Sequence, residues 1–295
     1  MRDELHRPVD RQDIVDGLRS LGVEPGMGLM VHSSLKSFGH VEGGAKTVIA
    51  ALQEAVTETG TVMMPSFNHG TVFKSSDRPD APDVFDPKTS PTSNGAIPMA
   101  FWQLPGVYRS LSPTHSFACW GNRAEAYTRH HHRALTIGPT SPLGRLCHDG
   151  GYGLLLGVGY HANTVHHLAE YINGAPCHGY RTLQLAIKLP EGRTVMGRTW
   201  GYRARQCPIT DQTRYASAMT EQSLESVGMI ASSRVTLFRL QDCVDLISTF
   251  LQNGLAPHPP CRDCPIRPAK DSRYVASDWD KASGTLLPES DAWSF

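Results

Sequence analysis

The first 65 residues alternate between two hydrophobic patterns. Apolar side chains recur every three to four positions over residues 10–21 and again over residues 44–56, which predicts two amphipathic helices. A short apolar run follows each helix, at residues 28–32 and 60–65, and is typical of a buried strand. This order of helix, strand, helix and strand predicts an α/β fold in which helices cover the faces of a sheet.

The pattern breaks over residues 66–94, where four prolines and four aspartates interrupt it. A loop this long inside a compact domain is usually functional or disordered, so we predict an irregular substrate loop here. A short helix over 95–104, a strand ending near residue 120 and a helix over 123–133 follow. Three histidines end that helix at 130–132. Because neighbouring helical side chains point in different directions, we interpret them as a solvated helix end rather than a metal site.

The C-terminal half predicts a hairpin and two further helices. Its elements are a β-hairpin over residues 183–196, a helix over 211–227, a strand over 234–240 and a helix over 241–253. The chain is polar and irregular from residue 269 onward. We therefore predict a single large domain over residues 1–268 and an irregular tail over residues 269–295.

Residues 154–171 join a buried-strand pattern to a helix that carries acid–base chemistry. The apolar run ends in Gly-Val-Gly, and Asn163 and Thr164 are both good N-cap residues for the helix that follows. His167 and Glu170 are three residues apart and share one face of that helix. Glu170 can accept a hydrogen bond from one imidazole nitrogen and leave the other to take up a proton. A surface ion pair has the same spacing, and the sequence leaves both interpretations open.

The composition argues against nucleic acids and membranes as partners. The 295 residues are 40% hydrophobic, which is enough to build a large core. Lys plus Arg and Asp plus Glu both number 28, and no basic run is present, so we predict no nucleic-acid partner. No stretch approaches the roughly 20 apolar residues of a membrane span, and the first residues lack the apolar core of a signal peptide. We therefore expect a cytoplasmic protein with no membrane partner.

The seven cysteines indicate reduced thiols, because five of them are isolated. The other two form a Cys-x-x-Cys pair, Cys261 and Cys264, and His258 precedes it. With the distant Cys207, these residues have the types needed for the four ligands of a structural zinc site. Two reduced thiols in a proline-rich loop are one alternative, and a thiol redox pair is another, although no βα pattern follows it.

Seven short motifs between residues 31 and 170 carry a family resemblance. They are Val31-His32-Ser33-Ser34-Leu35, Val41-Glu42-Gly43-Gly44, Gly60-Thr61-Val62-Met63-Met64-Pro65, Phe85-Asp86-Pro87, Arg109-Ser110-Leu111-Ser112-Pro113-Thr114-His115-Ser116-Phe117, Ser141-Pro142-Leu143 and Thr164-Val165-His166-His167-Leu168-Ala169-Glu170. In this order and spacing they resemble the aminoglycoside 3-N-acetyltransferase family, which is distinct from the GNAT acetyltransferase fold. The resemblance runs from about residue 10 to residue 250.

The resemblance implies a three-layer α/β/α sandwich with a central mixed sheet, and acetyl transfer from acetyl-CoA to a small-molecule amine. It implies that His167 is the general base and Glu170 its partner. It places the following residues where the family binds CoA and the thioester: His32, Ser33, Ser34, Leu35, Thr114 and Ser116. The chemistry agrees, because a bound ammonium group must lose a proton before it can attack. Backbone N–H groups of the 33–35 turn can stabilise the thioester oxyanion or hold a pyrophosphate.

The acceptor is less well defined by the sequence. Many family members have His-Pro where this chain has Ser112-Pro113, which leaves any imidazole role at position 112 in doubt, with His115 nearby. A neutral chain argues against a polycationic aminoglycoside, whereas the four aspartates of residues 77–86 argue for one. We predict the 3-amino group of an aminoglycoside, and hence an antibiotic-resistance role, with an amine of a biosynthetic pathway as the alternative.

Two rival classes remain. One is a zinc-dependent hydrolase that uses the cysteine cluster or His161, His166 and His167 as ligands. The other is a non-catalytic protein that binds CoA or an amine, motivated by Ser112. The sequence leaves the oligomeric state open, a homodimer included.

Overall fold

The structure is a computed structural model, and it describes residues 7–68, 84–134, 136–173, 182–200, 212–252, 279–280 and 285–286. The helices are α1 (Arg11–Ser20), α2 (Ala45–Val56), α3 (Ala96–Phe101), α4 (Ala124–Thr128), α5 (Pro142–His148), α6 (Val165–Ile172), α7 (Gln212–Glu221) and α8 (Leu240–Phe250). The strands are β1 (Gly28–Ser33), β2 (Thr61–Pro65), β3 (Val84–Phe85), β4 (Tyr108–Arg109), β5 (Phe117–Gly121), β6 (Tyr152–Leu156), β7 (Thr182–Lys188), β8 (Thr194–Trp200), β9 (Glu225–Ile230), β10 (Ser233–Arg239), β11 (Trp279–Asp280) and β12 (Thr285–Leu286). None of the helices in these ranges has the length and apolar character needed to cross a bilayer.

Seven strands form the central sheet, in the order β4-β5-β2-β1-β6-β10-β9. The three central strands β2, β1 and β6 are parallel, and the strands outside them pair antiparallel on both sides. The central strands are buried almost throughout, as expected for parallel strands covered on both faces. The predicted mixed sheet is confirmed.

The two faces of this sheet pack against different helices. Because successive strand side chains point to opposite faces, Leu29 and Val31 of β1 pack on one side and Met30 on the other. The face of Leu29 and Val31 is covered by α1, α2 and α3, and the face of Met30 by α4 to α8. The predicted three-layer α/β/α sandwich is therefore confirmed. The predicted boundary at residue 268 lies outside the described residues and stays a prediction.

A second, three-stranded sheet has the order β3-β7-β8. The strands β7 and β8 form the predicted hairpin, and β3, at the end of the predicted substrate loop, pairs parallel with β7. A small core joins this sheet to the loop before β5, since Phe85 of β3 and Ile187 of β7 pack with Leu111. The segment predicted to be irregular over 66–94 thus contains a short strand in its described part.

The predicted helix over residues 211–227 is wrong at its C-terminal end. The helix ends at Glu221, and residues 225–230 form the edge strand β9. Ser223 adopts a left-handed conformation with φ 55°, and Leu224 donates its N–H to the Met219 carbonyl. A left-handed residue of this kind ends a helix whatever the apolar pattern beyond it. The helix α5 was not predicted.

The interpretation of residues 130–132 as a solvated helix end is wrong for its central residue. His130 is exposed, but His131 is only 2% exposed and lies in a 3-10 turn after α4. Its Nε2 is 2.8 Å from the Thr136 carbonyl oxygen and its Nδ1 is 2.8 Å from the Ser110 hydroxyl. His131 is therefore a hydrogen-bonded residue of the protein interior.

Candidate active site

The predicted acid–base pair is formed and buried on α6. The Nδ1 atom of His167 lies 2.8 Å from Oε2 of Glu170, one helical turn further along. Glu170 is 0% exposed, and His167 is also buried. A carboxylate in this setting accepts the Nδ1 proton, so the imidazole lone pair is on Nε2. The surface ion pair that the spacing also allowed is excluded by this burial.

Two neighbouring segments fix the start of α6. The Asn163 side chain accepts a hydrogen bond from the Val165 N–H at 3.2 Å. From the adjacent strand β1, Nε2 of His32 lies 3.4 Å from the Thr164 backbone nitrogen and 3.3 Å from its hydroxyl. Burial lowers the pKa of His32 to about 3, so its imidazole is neutral and can accept these protons. His32 therefore connects β1 directly to the helix that carries His167.

His166 packs against the predicted acid–base pair. Its ring centroid is 3.9 Å from that of His167, and its Nδ1 donates to the Asn163 carbonyl. His166, His167 and Glu170 have ligand atoms within 4.8 Å of one another and form the one cluster of metal-ligand types found among the described residues. His161, one of the three histidines in one version of the hydrolase hypothesis, is exposed and lies outside this cluster.

An open groove of about 860 Å³ lies at the carboxyl ends of β1 and β6. Ligands commonly bind at such strand ends in α/β sheets. The groove is lined by Ser34, Ser37, Leu155, Gly157, Val158, Gly159, Tyr160, His161, Ala216, Ser217, Thr220, Glu225, Ser232, Arg234 and Thr236. Its lining is mostly small or hydroxyl-bearing, which leaves room for a polar ligand close to the backbone.

The end of β6 requires glycine at position 157. Gly157 has φ 66°, and a Cβ atom there would lie 1.7 Å from the Ser37 hydroxyl oxygen. That hydroxyl donates to the Ser34 carbonyl at 2.7 Å and pairs with the Ser233 hydroxyl at 2.8 Å. The backbone of the turn after β6 therefore packs directly against the Ser37 side chain of the turn after β1, along the groove.

Contrary to the prediction, the 33–35 turn does not present all of its backbone N–H groups to a ligand. Ser33 is the last residue of β1, and Leu35 begins a 3-10 turn that packs on the α1–α3 side of the sheet. The Ser34 N–H donates to the Leu156 carbonyl at 2.9 Å, so this donor is not available to an oxyanion. The Ser33 hydroxyl oxygen, in contrast, is buried without a hydrogen-bond partner among the described residues.

Thr114 and Ser116 lie in the loop before β5, beside the carboxyl end of β2, and both are buried. The Ser116 hydroxyl lies 2.9 Å from the Ser66 hydroxyl and 2.5 Å from the Ser66 carbonyl oxygen. The Thr114 hydroxyl lies 2.9 Å from Nδ1 of His115. Both side chains bond to protein atoms here, and their predicted contacts with CoA stay a prediction.

Position 112 is occupied by a buried serine that stabilises its own loop. The Ser112 hydroxyl accepts a hydrogen bond from the His115 backbone N–H at 3.2 Å. His115 is buried, and its ring lies edge-on to Phe67 with centroids 4.8 Å apart. The sequence departure at Ser112 therefore has a structural role within the loop.

The predicted zinc ligands Cys207, His258, Cys261 and Cys264 lie outside the described residues, and that site stays a prediction. The described cysteines Cys119, Cys147 and Cys243 are free thiols in the protein interior. Burial raises the pKa of the Cys119 and Cys243 thiols far above the usual range, so neither is a nucleophile at neutral pH.

The predicted acidic substrate loop is described only in part. Asp86 pairs with Lys188 at 2.9 Å and accepts the Lys88 N–H at 2.9 Å. Its carboxylate therefore stabilises the turn it belongs to. The other three aspartates, at positions 77, 80 and 83, lie outside the described residues.

Three residues with clear roles in the structure were not identified from the sequence. Arg109 is half-buried between two aromatic rings, Tyr160 donates its hydroxyl proton to the Glu225 carboxylate, and the fully buried Tyr215 donates to the Tyr160 carbonyl at 3.0 Å. Their partners are distant in the chain. The only sequence signal was the place of Arg109 in one of the seven motifs.

Comparisons with known proteins agree with this architecture. A protein-family model described as aminoglycoside 3-N-acetyltransferase matches residues 30–252. The chain is 32% identical over 270 residues to the SPbeta prophage-derived aminoglycoside N(3')-acetyltransferase-like protein YokD of Bacillus subtilis, covering 84% of this chain and 94% of that protein. It is 31% identical over 285 residues to aminoglycoside N(3)-acetyltransferase III of Salmonella sp, covering 89% of this chain and 99% of the relative.

A solved structure extends the agreement to three dimensions. A mutant of aminoglycoside acetyltransferase AAC(3)-IVa, in complex with a gentamicin, superposes with a TM-score of 0.72 at 30% identity. The match covers 88% of this chain and 96% of that one. The family model spans most of the chain, and the relatives align over nearly their whole length, so this chain belongs to the aminoglycoside 3-N-acetyltransferase family.

Proposed function

We propose that this protein transfers an acetyl group from acetyl-CoA to the 3-amino group of an aminoglycoside, with His167 as general base and Glu170 orienting it. The observation that carries the proposal is the buried hydrogen bond between Nδ1 of His167 and Oε2 of Glu170. Membership of the family supports the reaction class, and the names of the relatives support the acceptor.

The proton chemistry follows from the tautomer. Nε2 of His167 takes a proton from the acceptor nitrogen as that nitrogen attacks the thioester carbonyl carbon. The C–N bond forms, and the C–S bond breaks when the tetrahedral adduct collapses. The departing thiolate then takes the proton from the imidazolium, which gives CoA thiol and the amide. Glu170 stabilises the transient imidazolium, because its charge is buried beside it.

The groove beside β1 and β6 is the best candidate for holding CoA. It is open and carries several hydroxyl groups, and Ser34 lines it. The neighbouring Ser33 hydroxyl is buried and has no partner among the described residues, as expected for a group that bonds a ligand. His32 contributes indirectly, because its hydrogen bond to Thr164 fixes the start of α6. Three residues complete the predicted CoA set. Leu35 packs the turn, and Thr114 and Ser116 lie just before β5.

An aminoglycoside acceptor is supported by the gentamicin-bound relative. An amine of a biosynthetic pathway remains the alternative for the same chemistry. The zinc hydrolase is the weaker alternative. Among the described residues, its metal could occupy only the cluster that contains His167 and Glu170, and binding there would remove the base.

The experiment is CoA thiol release from acetyl-CoA by the full chain, against a panel of 2-deoxystreptamine aminoglycosides and unrelated amines. We expect release with aminoglycosides, unchanged by a chelator, and a loss of about 100-fold or more in kcat for His167→Ala with CoA affinity retained. His148→Ala is the control. Release that a chelator abolishes while the chain stays folded would contradict the proposal, as would an undiminished His167→Ala variant.

A further inference from the structure

Arg109 is a half-buried cation at the end of β4, and it lies between two aromatic rings. Its guanidinium carbon is 4.5 Å from the ring centroid of Trp102, which follows α3, and 5.2 Å from that of Phe85 in β3. Contacts of this kind are favourable when the cation is partly removed from water. The side chain therefore lies where the central sheet, α3 and the second sheet meet.

The guanidinium nitrogens of Arg109 donate to acceptors in three segments. Nε lies 3.1 Å from the Ser66 hydroxyl and 3.3 Å from the Ser116 hydroxyl, and Nη2 lies 3.0 Å from the Ser66 carbonyl oxygen. Nη1 donates to the carbonyl oxygens of Pro87, at 3.3 Å, and of Ser90. One side chain thus ties the ends of β2 and β5 to the turn over residues 86–90.

Only arginine satisfies this arrangement. The acceptors lie on three sides of a planar fork, whereas a lysine ammonium is a single point with no flat face for the two rings. All five acceptors are uncharged, and among the described residues no carboxylate accepts a hydrogen bond from Arg109. Burial lowers the pKa of Arg109 to about 10, and the nearby Asp86 opposes that shift, so the guanidinium is charged at neutral pH.

We propose that Arg109 is a positioning residue, which holds the 86–90 turn against the ends of β2 and β5 and thereby shapes the site of the acceptor amine. This inference rests on the proposed function, because the turn is the described end of the predicted substrate loop. Within the turn, Thr89 and Ser90 donate to the Asp86 carbonyl, and the Asp86 carboxylate also pairs with Lys188 of β7. Beyond the turn, the Ser93 N–H bonds to the Phe67 carbonyl.

The first test separates acceptor binding from the rest of catalysis. Arg109→Lys keeps the positive charge but loses the planar guanidinium group. We expect the KM for the aminoglycoside to rise about tenfold or more, because small displacements of a binding segment have large effects. The KM for acetyl-CoA should rise clearly less, by about threefold at most, because Arg109 contacts only one residue of the predicted CoA set, Ser116. Arg123→Lys is the matched control, because Arg123 also lies over a ring, that of Tyr127, but is exposed and remote from the turn. Proportional changes in both KM values, or no change, would overturn the proposal.

The second test needs no substrate, so it is independent of the proposed function. Amide hydrogen exchange at Thr89, Ser90, Thr92 and Ser93 should be about tenfold faster in Arg109→Lys and unchanged in β1 and β6. Should Arg109→Lys fail to fold, Trp102→Leu removes one ring and no hydrogen bond, since the indole nitrogen of Trp102 has no partner among the described residues. It should give a smaller increase at the same amides. Unchanged exchange there would refute the positioning role even in a fully active enzyme.

Discussion

Two buried histidines of this protein have opposite surroundings. His167 donates a hydrogen bond from Nδ1 to the Glu170 carboxylate at 2.8 Å. His131 donates from Nε2 to the Thr136 carbonyl and accepts at Nδ1 from the Ser110 hydroxyl, both at 2.8 Å. The Ser110 hydroxyl also accepts the Phe117 N–H at 2.8 Å. The first imidazole faces a negative charge, and the second faces neutral groups on both nitrogens.

This difference decides what each ring can do. An imidazole beside a carboxylate can become a cation at modest cost, because the charge is compensated where it forms. Burial without such a partner lowers the pKa of His131 to about 3, and it stays neutral. Burial alone therefore does not make a histidine a candidate base; the charged hydrogen-bond partner distinguishes His167 from His131.

The largest expected effect comes from making the surroundings of His167 neutral. Glu170→Gln keeps the shape of the side chain and removes the charge, so we expect kcat to fall about 100-fold with little change in either KM. The matched control is Glu125→Gln, which removes a carboxylate from an exposed ion pair with Arg129 and should leave kcat unchanged. A Glu170→Gln enzyme with normal kcat would show that His167 works without its carboxylate.

A smaller effect, on stability alone, is expected around His131. Ser110→Ala leaves Nδ1 of His131 and the Phe117 N–H without their buried partner, which should cost about 1–3 kcal/mol in the free energy of unfolding. We expect kcat to stay within about twofold, because this network has no part in proton transfer. Urea denaturation and steady-state kinetics of the same preparation measure both. Ser20→Ala, which removes an exposed hydroxyl, is the control. A large loss of kcat at retained stability would contradict the distinction between the two histidines.

The smallest effect is a pH dependence of stability. The pKa of His131 is about 3 in the fold and near 6.5 in the unfolded chain, so between these values the unfolded chain binds more protons. The contribution of His131 to stability is complete above about pH 6.5 and is lost as the pH falls toward 3. Urea denaturation from pH 7 to 4 should show a shallower decline for His131→Gln, by up to about 1.4 kcal/mol per pH unit. Parallel curves for the variant, the wild type and an exposed-site control, His40→Gln, would refute this assignment.

The sequence predicted the pair of His167 and Glu170 because its signal is local. Three positions on a helix bring the two side chains together whatever the rest of the chain does. The burial that separates a base from a surface ion pair comes from tertiary packing, and no local spacing encodes it. The layered fold was predictable for a similar reason, since the helix and strand periods of the first 65 residues are regular.

The residues that the sequence did not identify depend on distant segments. The partners of Arg109 lie in four separate stretches, which only the folded sheets bring together. The role of His131 depends on Ser110, in a strand-end loop, while its neighbours in sequence are also histidines. The strand β9 was not predicted, because its apolar pattern continues that of the helix before it. A single left-handed residue, Ser223, separates the two elements.

The pairing of β1 with β6 also has a kinetic consequence. These strands are neighbours in the sheet, with Leu29 opposite Tyr152, yet nearly half of the chain lies between them. Closing so large a loop is entropically costly, and contacts of high sequence separation form slowly. The bond from His32 to the start of α6 can form only after that closure. During refolding, the ability to transfer an acetyl group should therefore return with the slowest long-range step, well after most helices have formed.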